Sequence, residues 1–189
     1  MQFIKITSAS LLLASFGWCQ SSNCPAGFSA PEINGGNFVQ QAPAASPVLL
    51  AFLALSPTSS QNSSRATAVV IQSLDRQYVS RGLRVAALDA SMVISRQISR
   101  HEDIVNTAAN WNLRFPVLQD PDGSRARCFH IRTLPTILLI SPEGKELGRW
   151  EGYTRTPVLA RAIEQLLGGP LTAFPADSIS TQKTSTSQR

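Results

Sequence analysis

The groups with potential for nucleophilic or redox chemistry in this 189-residue chain are three cysteines, two histidines and a serine-rich loop. A cysteine attacks as its thiolate, so it needs neighbours that depress its pKa, and disulfide exchange needs a second sulfur within reach. Cys128 is the one cysteine inside the apolar, periodic part of the chain, and Arg125, Arg127, His130 and Arg132 surround it in sequence. That company suits a nucleophile with a lowered pKa. A plainer assignment is that Cys128 fills a small buried slot beside Phe129 as a compact hydrophobe. A third is a structural bridge from Cys24 to Cys128, reasonable in an oxidising compartment and able to constrain the unfolded chain by about 4–5 kcal/mol on the loop-entropy model.

The histidines offer less. Neither His101 nor His130 has a cysteine, histidine or carboxylate at a metal-ligand spacing, and Glu102-Asp103 after His101 suit the positive end of a helix. No metal and no cofactor are expected. Serines are abundant, but no Gly-x-Ser-x-Gly elbow exists to present one as a hydrolase nucleophile.

The elements that must position these groups alternate in type. Val48 to Leu55 is a continuous apolar run, the mark of a strand covered on both faces. A polar loop from Ser56 to Ser63 follows it. Val70, Ile71, Leu74 and Tyr78 then recur at helical spacing, with Gly82 placed to end the helix. Leu83 to Leu88 is a second apolar strand, so strand, helix and strand form a right-handed βαβ crossover. Glu102 to Trp111 is helical in pattern, Phe115 to Leu118 is short and extended, and Asp120-Pro121-Asp122-Gly123 is a turn. A brief helical segment over 125–130 leads to Leu134-Pro135 and the strand Thr136–Ile140. The Ser141-Pro142-Glu143-Gly144 turn returns an antiparallel partner over Lys145–Tyr153. A last helix has Thr156 as its cap, Pro157 at its first helical position and Gly168 at its end. The expected architecture is an α/β sandwich with a mixed sheet, in the order βαβ, helix, β-hairpin, helix.

Length and a 43% apolar composition favour one domain with a real core, and three cysteines are too few for a disulfide scaffold. The division expected is a signal peptide over 1–21, a lead-in segment and linker over 22–47, the domain over 48–168 and a Ser/Thr-rich disordered tail over 169–189. Lys5, the 13-residue apolar stretch Ile6–Trp18 and the small residues after it follow the order of a secretory signal, too short to span a bilayer. Cleavage after Cys19 or Ser21 leaves Cys24 and Cys128 in an exported chain, periplasmic or extracellular. Trp18 immediately before Cys19 argues against a lipid anchor. The net charge of +5 is scattered over predicted polar faces without a dense basic run, so no nucleic-acid partner is expected.

The segment Val48–Leu167 resembles the thioredoxin-like superfamily, and within it the exported redoxin or TlpA-like branch. Beyond the apolar first strand, the resemblance rests on Phe115-Pro116-Val117-Leu118 with its Asp-Pro-Asp-Gly turn and on Ile131-Arg132-Thr133-Leu134-Pro135-Thr136. The Ser141–Gly144 hairpin and the closing helix match as well, and Ala30-Pro31-Glu32 is similar to the family's opening motif. The resemblance implies a three-layer thioredoxin-like sandwich and a cis proline at Pro135, facing the loop after the first strand. In the family that loop carries a Cys-x-x-Cys at the head of a helix. Here it reads Ser56-Pro57-Thr58-Ser59-Ser60-Gln61, with no cysteine. A serine hydroxyl without a base cannot exchange disulfides. The expectation is therefore a degenerate loop, Ser56 to Ser60, that with Thr133, Leu134 and Pro135 forms a groove for an extended peptide or protein partner. The alternative is a thiol–disulfide oxidoreductase or thiol peroxidase that uses a relocated Cys128, with Cys24 resolving.

Overall fold

The computed structural model describes residues 27–96 and 98–168. Its centre is strand β3 (Val48–Leu53), in which all six residues are buried. Such a strand must be covered on both faces, and successive side chains divide between them. Leu49, Ala51 and Leu53 join one apolar cluster, with Ile71, Leu74, Ile104, Leu159 and Ile163. Val48, Leu50 and Phe52 join the other, with Ala30, Phe38, Ala126 and Leu134.

Around β3 the sheet runs β5-β4-β3-β6-β7. Strands β4 (Arg84–Asp89) and β5 (Val117–Leu118) lie parallel to it on one side. On the other side β6 (Thr136–Ile140) runs antiparallel to β3, and β7 (Glu146–Glu151) runs antiparallel to β6. Helix α1 (Gln61–Tyr78) crosses from β3 to β4 and buries Val70, Ile71, Leu74 and Tyr78. One turn of tighter helix continues it, and Gly82 at φ 90° takes the left-handed conformation that ends it. A single turn α2 (Met92–Ser95) and helix α3 (His101–Asn110) connect β4 to β5. Helix α5 (Thr156–Leu166) closes the chain and packs on the same face as α1 and α3.

Two details depart from the sequence expectation. The residue that caps α5 is Arg155, in extended conformation and without a side-chain bond, while Thr156 is the first helical residue. The Thr-Pro pair does mark the start, but the turn is stopped by backbone geometry rather than by a hydroxyl. The second departure is larger. Residues expected to form a lead-in and linker include a hairpin, β1 (Phe28–Pro31) with β2 (Asn37–Gln40). It covers the face of the sheet opposite α1, with Ala30 and Phe38 buried. Arg84 fixes it there, donating to Val39 O at 3.0 Å and Gln40 Oε1 at 2.9 Å while its guanidinium lies over the Phe38 ring. Hairpin, sheet and helical face make three layers.

Candidate functional site

The loop that follows β3 emerges where β3 and β4 end and β6 begins. A buried carboxylate organises it. Asp89, the last residue of β4, accepts the Leu55 N–H at 3.0 Å, the Ser91 N–H at 3.3 Å and the Ser91 hydroxyl. Ser91 Oγ in turn accepts the Ser56 N–H at 2.9 Å, and Ser64 Oγ in the first turn of α1 accepts the Ala54 N–H at 2.9 Å. Three successive backbone donors leaving the strand therefore find side-chain partners, which is what a buried chain end requires. None of these partners stands out by periodicity. They are two serines and an aspartate, and the role of Asp89 and Ser91 depends on the parallel β3–β4 register.

Within the loop, Gln61 N–H donates to Thr58 O and Ser64 N–H to Ser60 O, so the chain turns directly into α1. Ser60 is the N-cap residue, but its side chain makes no capping bond. Pro57 and Ser59 are exposed, whereas Ser56 is buried. The Ser56 and Thr58 hydroxyls are both shielded from solvent with no hydrogen-bond partner. Nothing in this arrangement supplies a base to ionise a serine.

The turn before β6 lies next to the end of β3, since Phe52 pairs with Thr136. The Leu134–Pro135 peptide bond is cis. Thr136 Oγ1 donates to Thr133 O at 2.7 Å, Gly152 N–H donates to Pro135 O at 2.7 Å, and Thr133 Oγ1 donates to Glu151 Oε2 at 3.0 Å. These contacts fix the turn from behind. The Leu134 N–H and C=O make no hydrogen bond among the described residues.

The structure does not add Cys128 to this set as a thiol. Cys128 is half-buried at the end of α4 (Ser124–Cys128) and is disulfide-bonded. Helix α4 is held by Asp120, whose carboxylate accepts the Arg125 N–H at 3.1 Å and the Ala126 N–H at 2.8 Å. Arg125 bonds Asp120 and donates to Ser29 O at 2.6 Å, so it is committed to the hairpin rather than to a sulfur. Next to Cys128, Phe129 stacks edge-on against Phe28 and packs against Phe52, with centroids 5.5 Å apart in both cases. Cys24 lies outside the described residues. His101 Nδ1 is 3.2 Å from Gln119 Oε1, His130 is exposed, and the described residues contain no cluster suited to a metal.

No protein-family model and no curated protein sequence matches the chain. Solved structures do. A Chlorobium tepidum chain assigned as the thiol:disulfide interchange protein DsbE superposes with a TM-score of 0.65 at 22% identity, covering 78% of this chain and 99% of that one. StoA of Bacillus subtilis gives 0.61 at 19% identity, covering 75% and 98%. A secreted Mycobacterium tuberculosis disulfide oxidoreductase, homologous to E. coli DsbE, gives 0.59 at 14% identity, covering 74% and 96%. The chain thus has the thioredoxin-like fold, with which its mixed five-stranded sheet and helical layer agree. At such identities the likeness fixes the architecture, and the chemistry has to be argued from this chain's own residues.

Proposed function

We propose that this protein is an exported, non-redox member of the thioredoxin-like group whose loop has lost the Cys-x-x-Cys motif and now serves to bind an extended peptide. The observation that carries the reading is that the N–H and C=O of Leu134 are both unbonded among the described residues, beside a loop without cysteine. An extended segment pairs with such a group by strand addition, which needs backbone bonds and no thiol. Ser56 and Thr58 in the loop hold buried hydroxyls that make no hydrogen bond among the described residues. Export is supported by the signal-like order of residues 1–21 and by the secreted M. tuberculosis chain of the same fold.

The test is capture from a library of neutral ten-residue peptides. Ser59→Trp, at an exposed loop position, should weaken capture about tenfold, roughly 1.4 kcal/mol, by filling the groove. Cys128→Ser should leave it unchanged. Capture that survives Ser59→Trp but disappears with Cys128→Ser would refute the binding reading.

The disulfide at Cys128 favours a second reading, exchange through that bond, with Cys24 as its other sulfur. Cys24 precedes Gly27 by three residues, and the segment from Phe28 to Ser29 is already anchored on α4 through Phe129 and Arg125. Three extended residues span about 10 Å. We favour a structural bridge over a catalytic one, since the surrounding contacts immobilise α4. Insulin reduction by dithiothreitol separates the two: a bridge leaves the rate unchanged, whereas acceleration abolished by Cys128→Ser would establish exchange.

A further inference from the structure

A second site lies away from that loop, in the groove between α1 and the last turn of α3. Positions 65, 69, 72 and 76 of α1 are spaced to share one stripe of the helix. Arg65, Val69, Gln72 and Arg76 line one wall of a cavity of about 130 Å³, and Asn110 and Trp111 line the other. Three features of this groove are left over from folding. The Gln72 Oε1 is shielded from solvent and receives no hydrogen bond. Val69 is 67% exposed. Arg65 and Arg76 make no ion pair or hydrogen bond among the described residues, although other arginines of the chain pair with Asp103, Asp120 and Glu146.

A buried amide oxygen without a donor is costly, so the site is complete only when something supplies an N–H or O–H. The guanidinium groups flanking it select for negative charge, and Asp75, beside Arg76, offsets them only in part. One carboxylate there stands against two guanidinium groups. Eleven residues of helix set the two arginine positions about 16 Å apart, the span of roughly five residues of extended chain.

We propose that this groove docks an acidic peptide segment of a protein partner. One carboxylate meets Arg65 and another Arg76, an apolar side chain lies against Val69 and Trp111, and a peptide N–H donates to Gln72 Oε1 once that side-chain amide turns outward from its shielded position. A phosphodiester backbone has the charge but no donor for Gln72, and a single small oxyanion does not fill the length of the stripe. The docking is independent of the loop at Ser56–Ser60, because it uses different residues and a charged ligand.

The experiment titrates the full chain with a fluorescein-labelled octapeptide of alternating Glu and Val, followed by anisotropy. Parallel titrations use the Gln/Val octapeptide, an eight-nucleotide oligothymidylate and inorganic phosphate as competitor. Saturable binding of the Glu/Val peptide alone is expected. Arg65→Ala with Arg76→Ala should weaken it at least about tenfold, as expected for the loss of two charge-assisted contacts. Gln72→Leu should weaken it several-fold, while Lys145→Ala with Arg161→Ala, both exposed elsewhere, should have no effect. The proposal is overturned if the Glu/Val peptide does not saturate, or if the Gln/Val peptide binds equally well. It is likewise overturned if the oligonucleotide binds as tightly, if millimolar phosphate displaces the peptide, or if both double variants weaken binding alike.

Discussion

At the scale of the residue, the most informative buried contact is Tyr78 with Glu164. The phenol of Tyr78, fully buried at the end of α1, donates to Glu164 Oε1 on α5 at 2.9 Å. Burial, then the hydrogen bond to Glu164 and the charge of its carboxylate, push the Tyr78 pKa from 10 up to about 12 against the opposing charge of Arg81. Folding therefore favours the protonated phenol. The associated stability is complete below pH 10 and is lost as pH rises from there through about 12. Tyrosinate absorbance should show one of the chain's two tyrosines titrating near 12 in the folded protein. Tyr78→Phe should remove that late step and cost about 1.5–3 kcal/mol in urea unfolding, the range for a hydrogen bond to a charged partner. Helical spacing placed Tyr78 on the buried face of α1. Its partner was not legible, because Glu164 sits 86 positions further along in a helix whose sequence pattern shows only that it has a polar side.

At the scale of the element, the hairpin β1–β2 is attached at the β5 edge by backbone bonds, Gln119 N–H to Pro31 O and Ile33 N–H to Val117 O at 2.9 Å each, and elsewhere by side chains. Arg84 supplies two of its hydrogen bonds and a cation–π contact at 4.2 Å, and Phe28 and Phe38 stack at 5.7 Å. Replacing Arg84 by Met keeps the aliphatic stem and removes the charge. It should cost about 1–2 kcal/mol, the scale of such a contact when half-buried. Hydrogen exchange should quicken at Ser29 and Val39 without change at Leu50 and Phe52 of β3, since only the covering layer loosens. A uniform loss of protection would show instead that the hairpin and the sheet unfold together. The principal strands and helices around it were legible from their periodicity. The hairpin was not, because Phe28–Gln40 is short and its burial on the sheet follows from Phe38 meeting Arg84 and Phe129 meeting Phe28, all distant in sequence.

At the scale of the whole molecule, the disulfide at Cys128 ties α4 to a sulfur outside the described residues. If that sulfur is Cys24, the bridge closes a loop of about 100 residues, and the chain-entropy model gives it about 4–5 kcal/mol. Cys128→Ser should lower the urea midpoint markedly, and reductant should bring the wild-type protein to the same midpoint while leaving the variant unmoved. Reductant that leaves the wild-type midpoint in place would remove the bridge from any structural role. The basic surface belongs to this scale too. In the sequence the basic charge is scattered over predicted polar faces; in the fold Arg65 and Arg76 line one groove with Gln72.

The sequence by itself determined the alternation of strands and helices, the absence of cysteine from the loop after β3 and the position of Pro135 before β6. These are local: apolar periods of two and 3.6 residues, the punctuation of Gly and Pro, and the identity of side chains at a turn. Only the tertiary structure decided which groups are left unsatisfied. Asp89 and Ser91 take up the backbone donors of the loop because β3 and β4 run parallel in one register, and Leu134 keeps its peptide group open because the contacts behind it are supplied by Thr133, Thr136 and Gly152. Hydrogen-bond partners and free charges are properties of residues brought together from far along the chain. A one-dimensional pattern carries burial well and pairing poorly, and in this protein pairing, or its lack, marks the sites.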